Sequence, residues 1–316
     1  MRLDRWFKQH YPGLGFGRLQ KLLRTGQVRV DGGRAKAETR IAAGQSIRVP
    51  PVGVDAAGTA PTAPLSPGTL RNTGDAEALR AMLLYEDEWT YVLNKPAGLA
   101  TQGGSGVVRH VDGMLEAWRN RKGEKPRLVH RLDRDTSGAL VVARSRSSAQ
   151  ALTRAFRKRK TRKIYWALLK GVPGAEGRLS NWLVKEQTPD GDRMRVVPHG
   201  TEGSDHAVTR WQLLDQSGQR LSWVRFEPET GRTHQLRVHA LKMGHPIIGD
   251  PKYFEADQNW DFPGGIQKRL HLHARRIVIP REGRPTLDVA APLPPHMVQS
   301  WNLLGLEESA GEDTDE

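Results

Sequence analysis

Cysteine is absent from the 316 residues, which excludes disulfides, thiolate nucleophiles and cysteine-ligated zinc. No stretch approaches the roughly 20 apolar residues that a bilayer span needs. Arg2, Asp4, Arg5 and Lys8 break up any apolar run at the start, so no signal peptide is expected and the cytoplasm is the default location. No motif for a nicotinamide, flavin, nucleotide or metal cofactor occurs, and no cofactor is expected. Acidic residues are scarce beside basic ones. Six of the 35 acids (Glu307, Glu308, Glu312, Asp313, Asp315 and Glu316) lie in the last ten positions, so residues 1–306 carry 49 Lys and Arg against 29 acids, a net +20. An imbalance of that size, gathered in clusters, points to a polyanionic partner. What is present suffices for a core: 37% hydrophobic residues, nine tryptophans among them. The length favours about two domains.

Residues 1–50 read as one small unit. Leu3, Trp6 and Phe7 recur at helical spacing, as do Leu19, Leu22 and Leu23, with Arg18, Lys21 and Arg24 on the other faces. Gly26 is a helix stop, Val28-Arg29-Val30 alternates like a strand, Asp31-Gly32 is a tight-turn signal, and a last short strand is expected from Ser46 to Val49. Two short helices and a strand or two, basic throughout, suggest an RNA-binding module. Residues 51–76, rich in Ala, Gly, Pro and Thr, cannot bury enough surface to offset ordering entropy and read as a flexible linker. Residues 77–300 form one larger domain and 301–316 an acidic tail. Strand-like runs in the larger domain are Tyr91–Leu93, Ala139–Ala143, Tyr165–Leu169, Leu221–Phe226 and Arg276–Ile279. Helical periodicity is best at 148–158 and 235–242. Turn signals at short intervals then predict an α+β domain with a mainly antiparallel mixed sheet.

The segment His130-Arg131-Leu132-Asp133-Arg134-Asp135-Thr136-Ser137-Gly138 is a charged loop running into the apolar strand Ala139–Ala143. Loops on rigid strands are where reactive side chains sit, and flanking cations favour the carboxylate that a nucleophile requires. Charge alone leaves a second reading open and ahead: a surface turn with ion pairs of little value. Asp133-Arg134-Asp135-Thr136 also fits the nucleophile pattern of haloacid-dehalogenase phosphatases, but those need an apolar strand before the first aspartate, and here His130-Arg131 precedes it. His271 with His273, or His234 with His239, could start a metal site, yet no carboxylate cluster at ligand spacing supports one. A non-catalytic RNA-binding protein is the third alternative. Between Arg154 and Lys163, cations fill seven of ten positions (Arg154, Arg157, Lys158, Arg159, Lys160, Arg162, Lys163). A charge run is usually a solvated face; directly before Tyr165, phosphate contact is the better reading.

The nine-residue loop resembles the signature of the RluA family of pseudouridine synthases. Lys163-Ile164-Tyr165-Trp166-Ala167, Thr230-Gly231-Arg232-Thr233-His234-Gln235-Leu236-Arg237-Val238-His239, Gly244–Asp250, Leu272-His273-Ala274 and Asn94-Lys95-Pro96-Ala97-Gly98 continue the resemblance in order over about residues 90–275. Leu22–Gly32 with Ile41–Ile47 resembles the S4 RNA-binding domain, and Gly103-Gly104-Ser105-Gly106 together with that module resembles the RluC branch, which modifies large-subunit ribosomal RNA. The resemblance implies that Asp133 is the essential catalytic residue, Tyr165 the active-site tyrosine and Arg237 the partner of the aspartate. It implies that Arg131 fills the space left by the flipped base, while Leu236, Arg232 and His234 contact the substrate. RNA contact is expected from Arg18, Lys21, Arg24, Arg29, Arg157, Lys158, Arg159, Lys160, Arg162 and Lys163. The implied partner is large-subunit ribosomal RNA or a pre-ribosomal particle; nothing demands more than a monomer. Converting uridine to pseudouridine swaps a C–N for a C–C glycosidic bond without net redox change, so one carboxylate can serve, by attacking the sugar or by taking a proton.

Overall fold

A computed structural model describes residues 1–11, 14, 16–50, 67–104, 106–158, 160–188, 191–254 and 264–311. The side chain of Arg18, and Ser105 and Arg159 altogether, lie outside the described residues. The chain divides into two units, Met1–Ser66 and Pro67–Glu316. Among the described residues no helix is long and apolar enough to cross a membrane.

In the first unit, α1 (Leu3–His10) and α2 (Phe16–Arg24) are followed by β1 (Arg29–Val30), β2 (Gly33–Arg34) and β3 (Ile47–Arg48), an antiparallel sheet of order β2-β1-β3. The i, i+3, i+4 spacing of the apolar residues does what it predicts: Leu3, Phe7, Leu19 and Leu23 are buried with Val28 and Ile41 in one core. Asp31 and Gly32 both have positive φ, 50° and 79°, as a two-residue hairpin turn of type I′ requires. The Asp31 carboxylate also accepts hydrogen bonds from Ser46 N (2.8 Å) and Gln45 Nε2 (2.8 Å), which fastens β3 beside β1.

The second unit opens with α3 (Pro67–Ala81), β4 (Leu83–Glu86) and β5 (Thr90–Lys95). Then come α4 (Val111–Met114), a 3-10 turn (Leu115–Trp118), β6 (Arg127–Leu128), β7 (Ser137–Ala143) and α5 (Arg146–Arg157). Five long strands follow: β8 (Arg162–Lys170), β9 (Glu176–Thr188), β10 (Gly191–Val197), β11 (Asp205–Ser217) and β12 (Leu221–Pro228). The chain then forms α6 (Gln235–Lys242), β13 (Leu272–Arg281), β14 (Arg284–Ala290), α7 (Pro295–Leu304) and a 3-10 turn (Glu308–Gly311). One sheet contains all eleven strands, in the order β10-β9-β11-β12-β8-β13-β7-β5-β4, with β14 on β13 and β6 on β7. The fold is α+β and mostly antiparallel, as expected; β7 and β13 form a parallel pair, at Ser137–His273 and Gly138–Ala274. That junction admits glycine alone: Gly138 has φ 112°, and a Cβ there would sit 2.3 Å from Ala274 O.

Alternation along β8 and β12 sends side chains to two cores. Trp166, Leu168, Leu221 and Trp223 pack with Trp301 and Met297 of α7. Ala167, Leu169, Val224 and Phe226 pack with Leu236 and Ala240 of α6. Two expected boundaries are displaced. Residues 67–76, placed in the linker, begin α3, whose Leu79 is fully buried; 51–66 lie outside the described residues. The boundary at 300 falls inside α7, and the fold continues through Gly311, because Trp301 and Leu306 enter the core and Gly311 sits against Trp166 and Trp223.

Candidate active site

The loop 130–136 and the start of β7 are tied down at nearly every residue. His130 Nε2 accepts from Val141 N at 2.8 Å, and its ring stacks on Phe156 of α5 at 4.8 Å. Burial, with the charge of Lys163, lowers its pKa to about 3, so it remains a neutral acceptor. The Thr101 hydroxyl donates to Leu132 O (2.6 Å) and accepts from Leu132 N (3.2 Å), satisfying both backbone groups next to Asp133. Lys95 is fully buried at the end of β5, and its ammonium donates to Pro96 O, Leu99 O and Arg134 O at 2.8–3.0 Å. Gly98 N donates to the same Arg134 carbonyl at 2.9 Å. Ser137 and His273 share a 2.9 Å hydrogen bond, while His273 Nε2 faces Ala291 O at 3.1 Å. With Nε2 as the donor to a carbonyl, Nδ1 accepts from the serine.

Asp133 projects from this loop, half-buried, into a cavity of about 520 Å³. Tyr165 of β8, Arg237 and Leu236 of α6, and Thr136 share the wall. Arg131, Arg157, Lys163 and Arg232 add cations to the same lining. The strand and helix periods explain the convergence: β8 turns Lys163 and Tyr165 to one face, and α5 turns Thr153, Phe156 and Arg157 toward the cavity. The carboxylate's field reaches four neighbours, of which Lys95 and Arg237 are buried and Tyr165 and His234 half-buried. Burial first, then the Asp133 charge, pushes the Tyr165 phenol up, so it stays protonated. Burial lowers Lys95 to about 7, against the opposing pull of Asp135 and Asp133. Burial likewise depresses His234, with Asp133 opposing. Burial works against the Arg237 charge, but the hydrogen bonds and charge of Asp250, with a further contribution from Asp133, hold the guanidinium above its ordinary range.

The direct partner of Arg237 therefore corrects the expectation. Its Nε and Nη2 donate to Asp250 Oδ2 and Oδ1 at 2.7 and 2.6 Å, a bidentate pair with side chains 2% and 0% exposed. Asp133 acts on Arg237 through space. The reason is local: Gly249, with φ 69°, lies against Arg269 and leads directly to Asp250, whose Oδ1 also accepts from the backbone N–H of Lys252 (2.8 Å) and Tyr253 (3.1 Å). A second correction concerns the cations around Asp133. Arg131 and Arg134 flank it in sequence but are exposed, and Arg134 turns to Asp135 at 3.7 Å; the buried cations facing it are Lys95 and Arg237.

His234 is the N-cap residue of α6 with φ 51°, and its Nδ1 meets Tyr253 Oη at 2.9 Å; it is not among the residues that line the cavity, although the Asp133 charge reaches it. Arg232 lines the cavity, anchored to His206 O (3.2 Å) and Asp205 (3.3 Å). Gln235 knots its loop to β11, with Oε1 accepting from Thr230 Oγ1 (2.7 Å) and Arg232 N (3.0 Å), and Nε2 donating to Val208 O (2.9 Å). The basic run 154–163 splits in two. Arg162 pairs with Glu227 at 3.0 Å and Lys163 donates to Thr230 O, whereas Arg157, Lys158 and Lys160 are exposed and make no ion pair among the described residues. In the first unit Lys21 and Arg24 are exposed on α2, while Arg29 donates to Gly26 O and Gly32 O. The histidines weighed as metal ligands are engaged inside the fold: His271 with Arg269 O and Ser300, His239 with Thr209. Thr101, Lys95 and Asp250 escaped assignment from sequence. Lys95 and Asp250 carried a signal, since each is a charge set in an apolar stretch that demands a buried partner.

Residues 90–242 match the RNA pseudouridylate synthase family. The chain is 36% identical over 306 residues to the ribosomal large subunit pseudouridine synthase C of Vibrio cholerae, covering 95% of this chain and 91% of that one. It is 33% identical over 376 residues to the mitochondrial RNA pseudouridine synthase 4 of Arabidopsis thaliana, covering 95% and 78% respectively. The solved structure of human RNA pseudouridylate synthase domain containing 4 matches with a TM-score of 0.61 at 29% identity, over 76% of this chain and 98% of that one. The chain belongs to the RNA pseudouridine synthase family and is an RNA-modifying isomerase.

Proposed function

We propose that this enzyme isomerises uridines of large-subunit ribosomal RNA and that Asp133 carries the reaction. The observation behind this is the convergence of Asp133, Tyr165 and Arg237 on one cation-lined cavity. Relatives named for the large ribosomal subunit over nearly the whole chain support the choice of RNA. A uracil stacked in a helix is out of reach, so the target leaves the stack at a cost of a few kcal/mol. Tyr165 offers a flat face to the flipped base, and stacking of about 1–3 kcal/mol offsets much of that cost. Arg131, exposed beside Asp133, enters the vacated space. The Asp133 carboxylate attacks the ribose or removes a proton from it, the C–N bond breaks, the uracil turns, and its C5 bonds to the sugar. The protonated Tyr165 hydroxyl is placed to relay the C5 proton. Arg237, fixed by Asp250, and Lys95 set the positive field in which Asp133 works. Lys21, Arg24, Arg157, Lys158 and Lys160 meet phosphates without reading sequence. The enzyme works as a cytoplasmic monomer on ribosomal RNA or a pre-ribosomal particle.

The test is incubation of purified protein with unmodified large-subunit ribosomal RNA, followed by pseudouridine mapping. Discrete sites are expected with wild-type enzyme, and none with Asp133→Asn, which should still bind the RNA. Turnover by Asp133→Asn would remove the central role of that residue; modification confined to other RNA classes would remove the substrate.

A further inference from the structure

The helix α5 separates two cavities. Thr153, Phe156 and Arg157 face the catalytic one, while Ala151, Arg154, Ala155 and Lys158, on the opposite side of the same helix, line a second of about 370 Å³. Its floor is apolar: Ala151 and Ala155, with Leu152 and Ile279 beneath. Trp89 forms one wall, with the Arg284 guanidinium stacked on its ring at 4.4 Å. Arg154, Lys158 and Lys160 stand around the opening, all exposed and without an ion-pair partner among the described residues; Arg281 is bound to Asp87, and Glu282 is the acid of the lining. Arg154 and Lys158 lie at the C-terminal end of α5, where the helix dipole favours cations; the call for an anion comes from the three exposed cations together, which outnumber Glu282. A flat apolar body bearing an anionic group is what such a site takes.

We propose that this second cavity receives an unpaired nucleotide of the same RNA strand whose target uridine enters the catalytic cavity. The base lies against Trp89 and the alanine floor, and its phosphate meets Arg154, Lys158 and Lys160. The proposal rests on the RNA reading given above. Continuity supports one strand in both places. A helix with its side chains is about 10–12 Å across, a span of a few nucleotides, and the cations at the end of α5 run from one opening to the other. The enzyme then holds its substrate at two flipped or looped-out bases, so an unpaired nucleotide at a fixed distance from the target becomes part of target selection.

The experiment begins with the shortest stem-loop of large-subunit ribosomal RNA that the enzyme converts. Each unpaired nucleotide around the target is made abasic in turn. At one position the loss of the base should raise KM by roughly 5- to 150-fold, the range for removing one base–aromatic stack, with kcat at saturating RNA unchanged. Trp89→Ala should raise KM for intact RNA similarly, and the abasic change at that position should then cost nothing more. Trp89→Phe, which keeps a flat ring, should restore both the affinity and the coupling. A wild-type KM for Trp89→Ala, or additive losses at every position, overturns the second cavity's role while leaving the enzyme's activity in place. Competition by uridine monophosphate that Trp89→Ala abolishes, without a coupled abasic position, assigns the cavity to a free nucleotide and overturns the strand. Conversion of other RNAs but of no large-subunit ribosomal RNA, free or in pre-ribosomal particles, overturns the substrate reading and this proposal with it.

Discussion

Arg237 is 2% exposed and keeps its charge because both oxygens of Asp250 face it. A buried guanidinium stripped of such a partner costs about 3–5 kcal/mol. Asp250→Ala is therefore expected to lower unfolding free energy by about that amount in urea titrations, and to lower kcat by letting Arg237 shift relative to Asp133. Asp133→Asn, on a half-buried residue with no ion pair among the described residues, should leave the unfolding midpoint near wild type. An Asp250→Ala protein as stable as wild type would show that the pair does not hold this corner of the cavity. That Asp133, Tyr165 and Arg237 would share one cavity could be expected because each sits in a local motif. Asp250 was legible as a landmark but not as a partner: thirteen residues and the turn at Gly249 separate it from Arg237, and only the fold brings them to 2.6 Å.

Among elements, the loop that carries Asp133 owes its shape to residues 30 and more positions away. The clearest is Thr101, 3% exposed, whose single hydroxyl serves both Leu132 N and Leu132 O. Thr101→Val leaves two buried backbone groups unpaired at about 1–3 kcal/mol each. Its kcat should fall while KM for RNA stays close to wild type, and Thr101→Ser, which keeps the hydroxyl, should recover most of the rate. Equal kcat in the valine and serine variants would show that the loop does not depend on this bond. No local pattern announced Thr101, since a threonine that pairs with distant backbone looks like any other. The strands β5, β7, β8, β12 and β13 were legible from their apolar runs, and α6 to the residue from the helical spacing of its apolar residues, although six consecutive positions of it are buried. β9 and β11 were not, although they are the longest strands. β9 runs mostly between exposed and half-buried positions and β11 is buried only at Ala207–Thr209, with Arg178, Lys185 and Arg210 along them, so neither carries the long apolar run that marks a strand, and the pairing between them holds them in the sheet. α3 and α7 were hidden by composition: α3 opens with Pro67 and Gly68, and α7 follows a proline-rich turn.

At the scale of the whole molecule, the net charge of +14 and a set of buried histidines act together as the pH falls. Burial holds His239, His271 and His273 at about 4, and His130 at about 3, below the ordinary value of 6.5. Between pH 6.5 and about 4 the unfolded chain binds protons at these four positions and the folded chain does not. Proton uptake on unfolding means that stability rises with pH in this window. The stability that the neutral imidazoles permit is thus whole above about pH 6.5 and is lost progressively as the pH drops toward 4, at a slope of up to about 1.4 kcal/mol per pH unit for each histidine. Two of the four, His130 and His273, fasten the catalytic loop directly, so activity should fail over the same range. Self-repulsion of a basic chain also grows on acidification, but salt screens charges on the surface and hardly touches those inside. Unfolding free energy measured from pH 7.5 to 4.5 at low and high ionic strength separates the two. A steep decline below pH 6.5 is expected to persist in high salt, and His273→Asn should make it shallower. A decline that vanishes in high salt would assign acid sensitivity to surface charge alone.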